Sequence, residues 1–116
     1  MNTFAGRKLS RPTGHRFSLL RNMAASLLHH EKIQTTVPKA REVARFTEKL
    51  ITSAKAGGVT ARRRVARDLH SSSVQAKLFD VLVPRYKDRR GGYTRLVRKG
   101  QRMSDGAEMG ILTLVP

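Results

Sequence analysis

The chain is 116 residues long and carries 24 lysines and arginines against eight aspartates and glutamates, a formal net charge of +16. It has no cysteine, which excludes disulfides, thiolate metal sites and cysteine nucleophiles, and no apolar run approaches the ~20 residues that span a bilayer. At 39% hydrophobic and 5% aromatic it can build one small core, and self-repulsion on this scale calls for an extensive anionic partner.

Residues 1–12 hold Arg7, Lys8 and Arg11 between Gly6 and Pro12 without apolar periodicity, which predicts an extended basic arm that orders on its partner. The first acid is Glu31, and an acid-free, arginine-bearing opening of this kind also overlaps in composition with a mitochondrial targeting helix. Thr13 is placed to cap a helix over 14–30, with Phe17, Leu20, Ala24, Leu27 and Leu28 on its core stripe. His15, Ser18, Asn22 and His29 mark the wet side. From Lys32 to Val37 the period changes to two, predicting a short strand, and Pro38 then suits the first turn of a second helix over 38–56. That helix should bury Val43, Thr47, Leu50, Ile51 and Ala54 and stop at Gly57-Gly58.

Thr60 caps a predicted third helix through Leu69, with Val65, Ala66 and Leu69 inward. The Ser71–Ser73 cluster caps a fourth, burying Val74, Leu78, Val81 and Leu82 and limited by Pro84. A basic loop follows from Arg85 to Gly92. Tyr93–Lys99 and Met109–Val115 read as two strands joined as a hairpin through the turn at Gly106. The prediction is an α+β fold: about four helices packed with a small three-stranded sheet, plus the arm. The domains are 1–12, the arm, and 13–116, a single α+β unit.

Most of the 24 basic residues are arginine, whose planar fork pairs phosphate oxygens and stacks on bases, so nucleic acid is the first candidate partner. They cluster in three places: Arg7, Lys8 and Arg11 with Arg16 and Arg21; Arg62, Arg63 and Arg64 with Arg67; and Arg85, Lys87, Arg89 and Arg90 with Arg95, Arg98, Lys99 and Arg102. Three consecutive arginines step about 100° apart around a helix, so they fan charge into a cleft between phosphate strands better than onto a flat duplex face. Tyr86, between Arg85 and Lys87, is the better aromatic candidate for a nucleotide contact, while Tyr93 fits the core.

Catalytic alternatives do not assemble. The adjacent His29 and His30 point apart on a helix and suit a helix end better than a shared metal ion. His70 beside Ser71–Ser73 lacks a nucleophile elbow and an orienting third group. Gly57-Gly58 and Gly91-Gly92 lack the lysine of a phosphate loop, and Asp80 and Asp88 are too scattered for a nuclease centre.

The run Pro84-Arg85-Tyr86-Lys87-Asp88-Arg89-Arg90-Gly91-Gly92-Tyr93-Thr94-Arg95 resembles the signature of the L-seventeen family of bacterial-type large-subunit ribosomal proteins. Gly6–Arg11, His15-Arg16, Leu20–Met23, His30-Glu31, Thr35-Thr36, Pro38–Ala40, Leu50–Thr52, Lys77–Phe79 and the terminal strand continue the resemblance in order. It implies a non-enzymatic structural constituent of the large ribosomal subunit. Such a protein binds and stabilises large-subunit ribosomal RNA near the nascent-chain tunnel exit, beside the ribosomal protein L-thirty-two. The matching Arg7, Lys8, Arg11, His15, Arg16, Arg21, Arg85 and Arg95 are then expected at phosphates. No cofactor, metal, membrane or homo-oligomer is expected. The Arg11-Pro12 and Gly14-His15-Arg16 pairing is similar to mitochondrial members, so a mitochondrial ribosome is expected ahead of a bacterial one. The alternative is a small nucleoid-type DNA-binding protein, in which helices over 60–69 and 73–83 imitate a helix-turn-helix.

Overall fold

A computed structural model describes residues 13–116. The arm and its Arg7, Lys8 and Arg11 lie outside the described residues. Helix α1 (Thr13–His30) starts at Thr13 itself and buries Leu20, Ala24, Leu27 and Leu28 completely, as the stripe predicted. Phe17 is only half-buried, and the guanidinium groups of Arg16 and Arg21 lie 5.6 and 5.9 Å from its ring centre. The helix closes through Glu31, whose N–H donates to the Leu27 carbonyl at 2.7 Å and whose φ is 64°. That left-handed residue turns the chain straight into strand β1 (Lys32–Thr36).

Helix α2 (Val37–Lys55) follows at once, with Pro38 in its first turn, where a missing N–H costs nothing. All five predicted inward residues, Val43, Thr47, Leu50, Ile51 and Ala54, are buried. So is Glu42, which lies outside the predicted stripe. Gly57 and Gly58 have φ of 76° and 81°, so the chain reverses within two residues and helix α3 (Gly58–Asp68) begins before Thr60, the expected cap. The inward stripe is Ala61, Val65 and the following Leu69, at four-residue spacing; Ala66, one step of about 100° from Val65, is exposed.

Helix α4 (Ser72–Lys77) continues without a break into a π-helical turn (Leu78–Leu82) and a last α-helical turn (Val83–Arg85). Pro84 therefore does not end the helix. Proline has no N–H for the carbonyl four residues back, and the ladder widens just before it, with the Val83 N–H donating to the Leu78 carbonyl five residues earlier. The wider turn keeps Val74, Leu78 and Leu82 inward but rotates Val81, a predicted core residue, to 45% exposure.

Strands β2 (Thr94–Gln101) and β3 (Glu108–Leu114) form the C-terminal hairpin, and the antiparallel sheet has the order β1-β3-β2. Leu112 on the central strand stands opposite Ile33 and Leu96, so the inner face of the sheet is apolar. On the outer face Lys32, Thr113 and Arg95 align across the three strands. Gly110 lies where a Cβ would come within 2.8 Å of Leu96 Cδ1 and 3.4 Å of Val37 Cγ2, so its missing side chain leaves room for Leu96 of β2 and the first residue of α2. One hydrophobic cluster joins α1, α2, Val65, Leu69, Val74, Leu78, Leu82, Tyr86, Tyr93, Leu112 and Leu114.

Candidate nucleic-acid interface

The acids of this chain are mostly engaged within the fold, and their partners decide which cations remain for a ligand. Glu31 accepts both Nη atoms of Arg85, one at 3.4 Å, and pairs with Lys77 Nζ at 3.1 Å. Lys77 Nζ also donates to the His29 carbonyl at 2.7 Å, so one cation pair clamps the end of α1 to the fourth helix. The Arg85 guanidinium and the Lys77 ammonium hold the Glu31 carboxyl down at about 2, from an ordinary 4.5, against the opposing effect of burial. Arg21 Nε donates to Asp68 at 3.2 Å, Arg98 pairs with Glu108, and Arg102 grips Asp105 through Nε at 2.9 Å and Nη2 at 2.6 Å. Glu48 accepts the Thr94 N–H at 3.1 Å and its hydroxyl at 2.9 Å, tying α2 to β2.

Two predicted contacts are not on the surface at all. Arg16 is completely buried, its guanidinium 5.6 Å from the Phe17 ring centre. Tyr86 is 1% exposed; its hydroxyl donates to the Val115 carbonyl and its ring lies 5.2 Å from that of Tyr93. Burial raises the Tyr86 hydroxyl pKa above its usual 10. Tyr86 is thus a core residue, as is Tyr93, and neither offers a face to a base. Arg21, Arg85, Arg98 and Arg102 are exposed or partly so but hold carboxylates.

The remaining predicted residues do face solvent. His15, Arg62, Arg63, Arg64, Arg67, Lys87, Arg89, Arg90, Arg95 and Lys99 are all exposed. Among the described residues Arg63, Arg64, Arg67, Lys87, Arg90 and Arg95 make no ion pair. The three consecutive arginines separate as their helical steps require. Arg62 lies 4.6 Å from the Phe79 ring centre, Arg63 points to solvent, and Arg64 joins Arg67 in a cleft of about 240 Å³ between α2 and α3. Lys99 donates to Gln34 at 3.1 Å, and Arg89 Nε to the Gly92 carbonyl at 3.3 Å.

The basic loop is tied down from beneath. Lys55 Nζ donates to the Arg89 carbonyl and to the Tyr93 hydroxyl at 3.0 Å, and that hydroxyl donates to the same carbonyl at 3.1 Å. Lys87, Arg89 and Arg90 are therefore presented on a loop whose backbone is held by side chains of the fold itself. A second cleft, of about 480 Å³, separates this loop at Gly91 from Arg45, Lys49 and Thr52 of α2. The cations Arg41, Arg45 and Lys49 of α2 lie outside the predicted contacts. They recur every four residues along α2, about 6 Å apart along the axis, and all are exposed. Their spacing was visible in the sequence once the buried stripe had been assigned to the other side.

No three His, Asp or Glu side chains gather as a metal-ligand set among the described residues. His29 and His30 are exposed with their rings edge to face at 4.5 Å, and Ser71 Oγ pairs with Ser73 Oγ at 3.0 Å. What the surface offers is a discontinuous set of fixed cations on α2, α3, the 87–92 loop and β2.

A family model described as Ribosomal protein L17 matches residues 19–115. The Large ribosomal subunit protein bL17 of Anaeromyxobacter sp. (strain K) is 53% identical over 110 residues, covering 95% of this chain and 70% of that protein. The protein of the same name from Zymomonas mobilis subsp. mobilis is 53% identical over 110 residues, with 95% and 79% covered. That from Trichlorobacter lovleyi is 48% identical over 111 residues, with 96% and 90% covered. A match of this length takes in the clamp at Glu31, the buried tyrosine pair and the basic loop together, and the chain belongs to the ribosomal protein L17 family.

Proposed function

We infer that this chain is a structural constituent of the large ribosomal subunit, which binds and stabilises large-subunit ribosomal RNA and carries out no reaction. Family membership supports the assignment, and the observation that carries the mode of binding is the set of exposed, unpaired arginines and lysines on several elements. Binding then proceeds by counterion release and shape matching, with the arm adding Arg7, Lys8 and Arg11 to the folded surface. The distribution disfavours the nucleoid-type alternative, because the cations are spread over helices, loop and sheet instead of one recognition helix.

The family resemblance supports finer proposals: a seat near the nascent-chain tunnel exit and the ribosomal protein L-thirty-two as a neighbour, both testable by crosslinking in intact subunits. The relatives quoted above are bacterial, and they lend no support to the mitochondrial compartment expected from the acid-free opening. Sedimentation of the tagged chain from gently lysed cells tests the central reading. It should travel with the large subunit, and the free chain should lose about three to five orders of magnitude in RNA affinity between 50 and 200 mM salt if ~6–10 phosphates are contacted. Absence from the large-subunit fraction refutes the assignment.

A further inference from the structure

The cleft between α2 and α3 combines two properties that a merely charged surface does not. Half-buried Phe46 and the edge of Leu50 line it, and Lys49, Ser53, Arg64 and Arg67 surround them. The carboxylate in its lining, Asp68, is already held by Arg21 at 3.2 Å, while Lys49, Arg64 and Arg67 have no ion pair among the described residues. The local charge is therefore net positive and concentrated around an aromatic ring.

Acidic peptides would be served by the cations alone. An aromatic side chain among cations fits a ligand that is itself flat on one side and anionic on the other, which describes a nucleotide. In a duplex the base faces are stacked and hidden, whereas an unpaired nucleotide exposes one for stacking on an aromatic side chain. Ser53 adds a hydroxyl within reach of the same space, able to donate to a phosphate or sugar oxygen.

We propose that this cleft seats an unpaired nucleotide of ribosomal RNA, its base against Phe46 and the adjoining phosphates on Lys49, Arg64 and Arg67. The assignment rests on the ribosomal reading above and adds to it a base contact, Phe46, and a phosphate contact, Lys49.

The test uses the full chain and a transcript of large-subunit ribosomal RNA. Replacing Lys49, Arg64 and Arg67 with alanine should weaken binding roughly 10²-fold at 0.1 M salt and make the salt slope shallower by about 2. Removing two charges elsewhere, as Lys32→Ala and Lys39→Ala together, should cost less than a tenth of what Arg64→Ala with Arg67→Ala costs. Phe46→Leu should lower affinity roughly 5- to 100-fold with the slope unchanged. The chain has no tryptophan, so Phe46→Trp places a single reporter in the cleft without removing the ring. Its fluorescence should be quenched when the RNA binds. Equal losses from the two double variants, or an unquenched reporter on bound RNA, overturn this site while leaving the ribosomal reading intact. Equal quenching by polyglutamate assigns the cleft to an acidic protein and overturns it too. A wild-type chain that binds no ribosomal RNA overturns the ribosomal reading and this site with it.

Discussion

Replacing Glu31 with glutamine isolates the clamp that joins α1, β1 and the end of the fourth helix. The change keeps the side-chain shape and one acceptor but removes the charge that both Arg85 and Lys77 address. Hydrogen bonds to charged groups contribute about 1.5–3 kcal/mol when buried, and exposed pairs about 0–1. Here the side chains of Lys77, Arg85 and Glu31 are 24%, 27% and 34% exposed, so the two contacts together should lie between those limits, at about 1–2 kcal/mol. For a domain near this size that is a fall in Tm of roughly 5–10 °C. Circular-dichroism melts at 150 mM salt should show it at pH 7. The sign with pH follows from the depressed carboxyl: the stabilisation is complete above the ordinary 4.5 and disappears as pH falls toward about 2. Wild type and variant should therefore converge near pH 2. Backbone strain provides a control, since Glu31 has φ of 64°. Glu31→Gly loses the ion pairs but relieves the left-handed strain, so it should melt above Glu31→Ala by the equivalent of about 1 kcal/mol. A Glu31→Gln variant that melts with wild type at pH 7, or a gap that persists undiminished at pH 2, refutes the clamp.

Tyr86→Phe removes the donor to the Val115 carbonyl and should cost about 1 kcal/mol in denaturant unfolding, while leaving RNA affinity unchanged because the ring never meets solvent. Gly110→Ala forces a methyl against Leu96 and should destabilise by about 1–3 kcal/mol, read as a lower midpoint in the same titration. Lys55→Met withdraws the donor beneath the basic loop, so trypsin should cut after Arg89 and Arg90 faster than in wild type, with the global midpoint changed less than the cleavage rate.

Local periodicity made much of this fold legible. The stripes on α1 and α2 needed only the sequence, because each helix buries one face against a single core and the spacing reports that face directly. The sheet could be read from β-branched alternation at Ile33–Thr35 and from the C-terminal hairpin. What escaped depends on distance along the chain. Arg85 meets Glu31 across 54 residues and Arg21 meets Asp68 across 47, and no spacing rule connects such pairs. Without those partners every arginine looked equally available to phosphate. Tyr86 was misplaced for a related reason: a polar tip suggested surface, while its apolar ring packs in the core. Val81 was misjudged because the π turn before Pro84 shifts the helix phase, and Ala66 because the short third helix buries only a narrow stripe through Ala61, Val65 and Leu69.

The internal pairing of the acids has a consequence for selectivity. An unfolded copy of this chain is a loose polycation, free to drape over any nucleic acid it meets. In the folded molecule Glu31, Asp68, Asp105 and Glu108 each hold an arginine to the scaffold. Folding thus withdraws part of the positive charge from indiscriminate use and fixes the rest in directions that only a matching contour can meet at once. Discrimination among polyanions then begins with the molecule's own architecture, before any ligand has arrived.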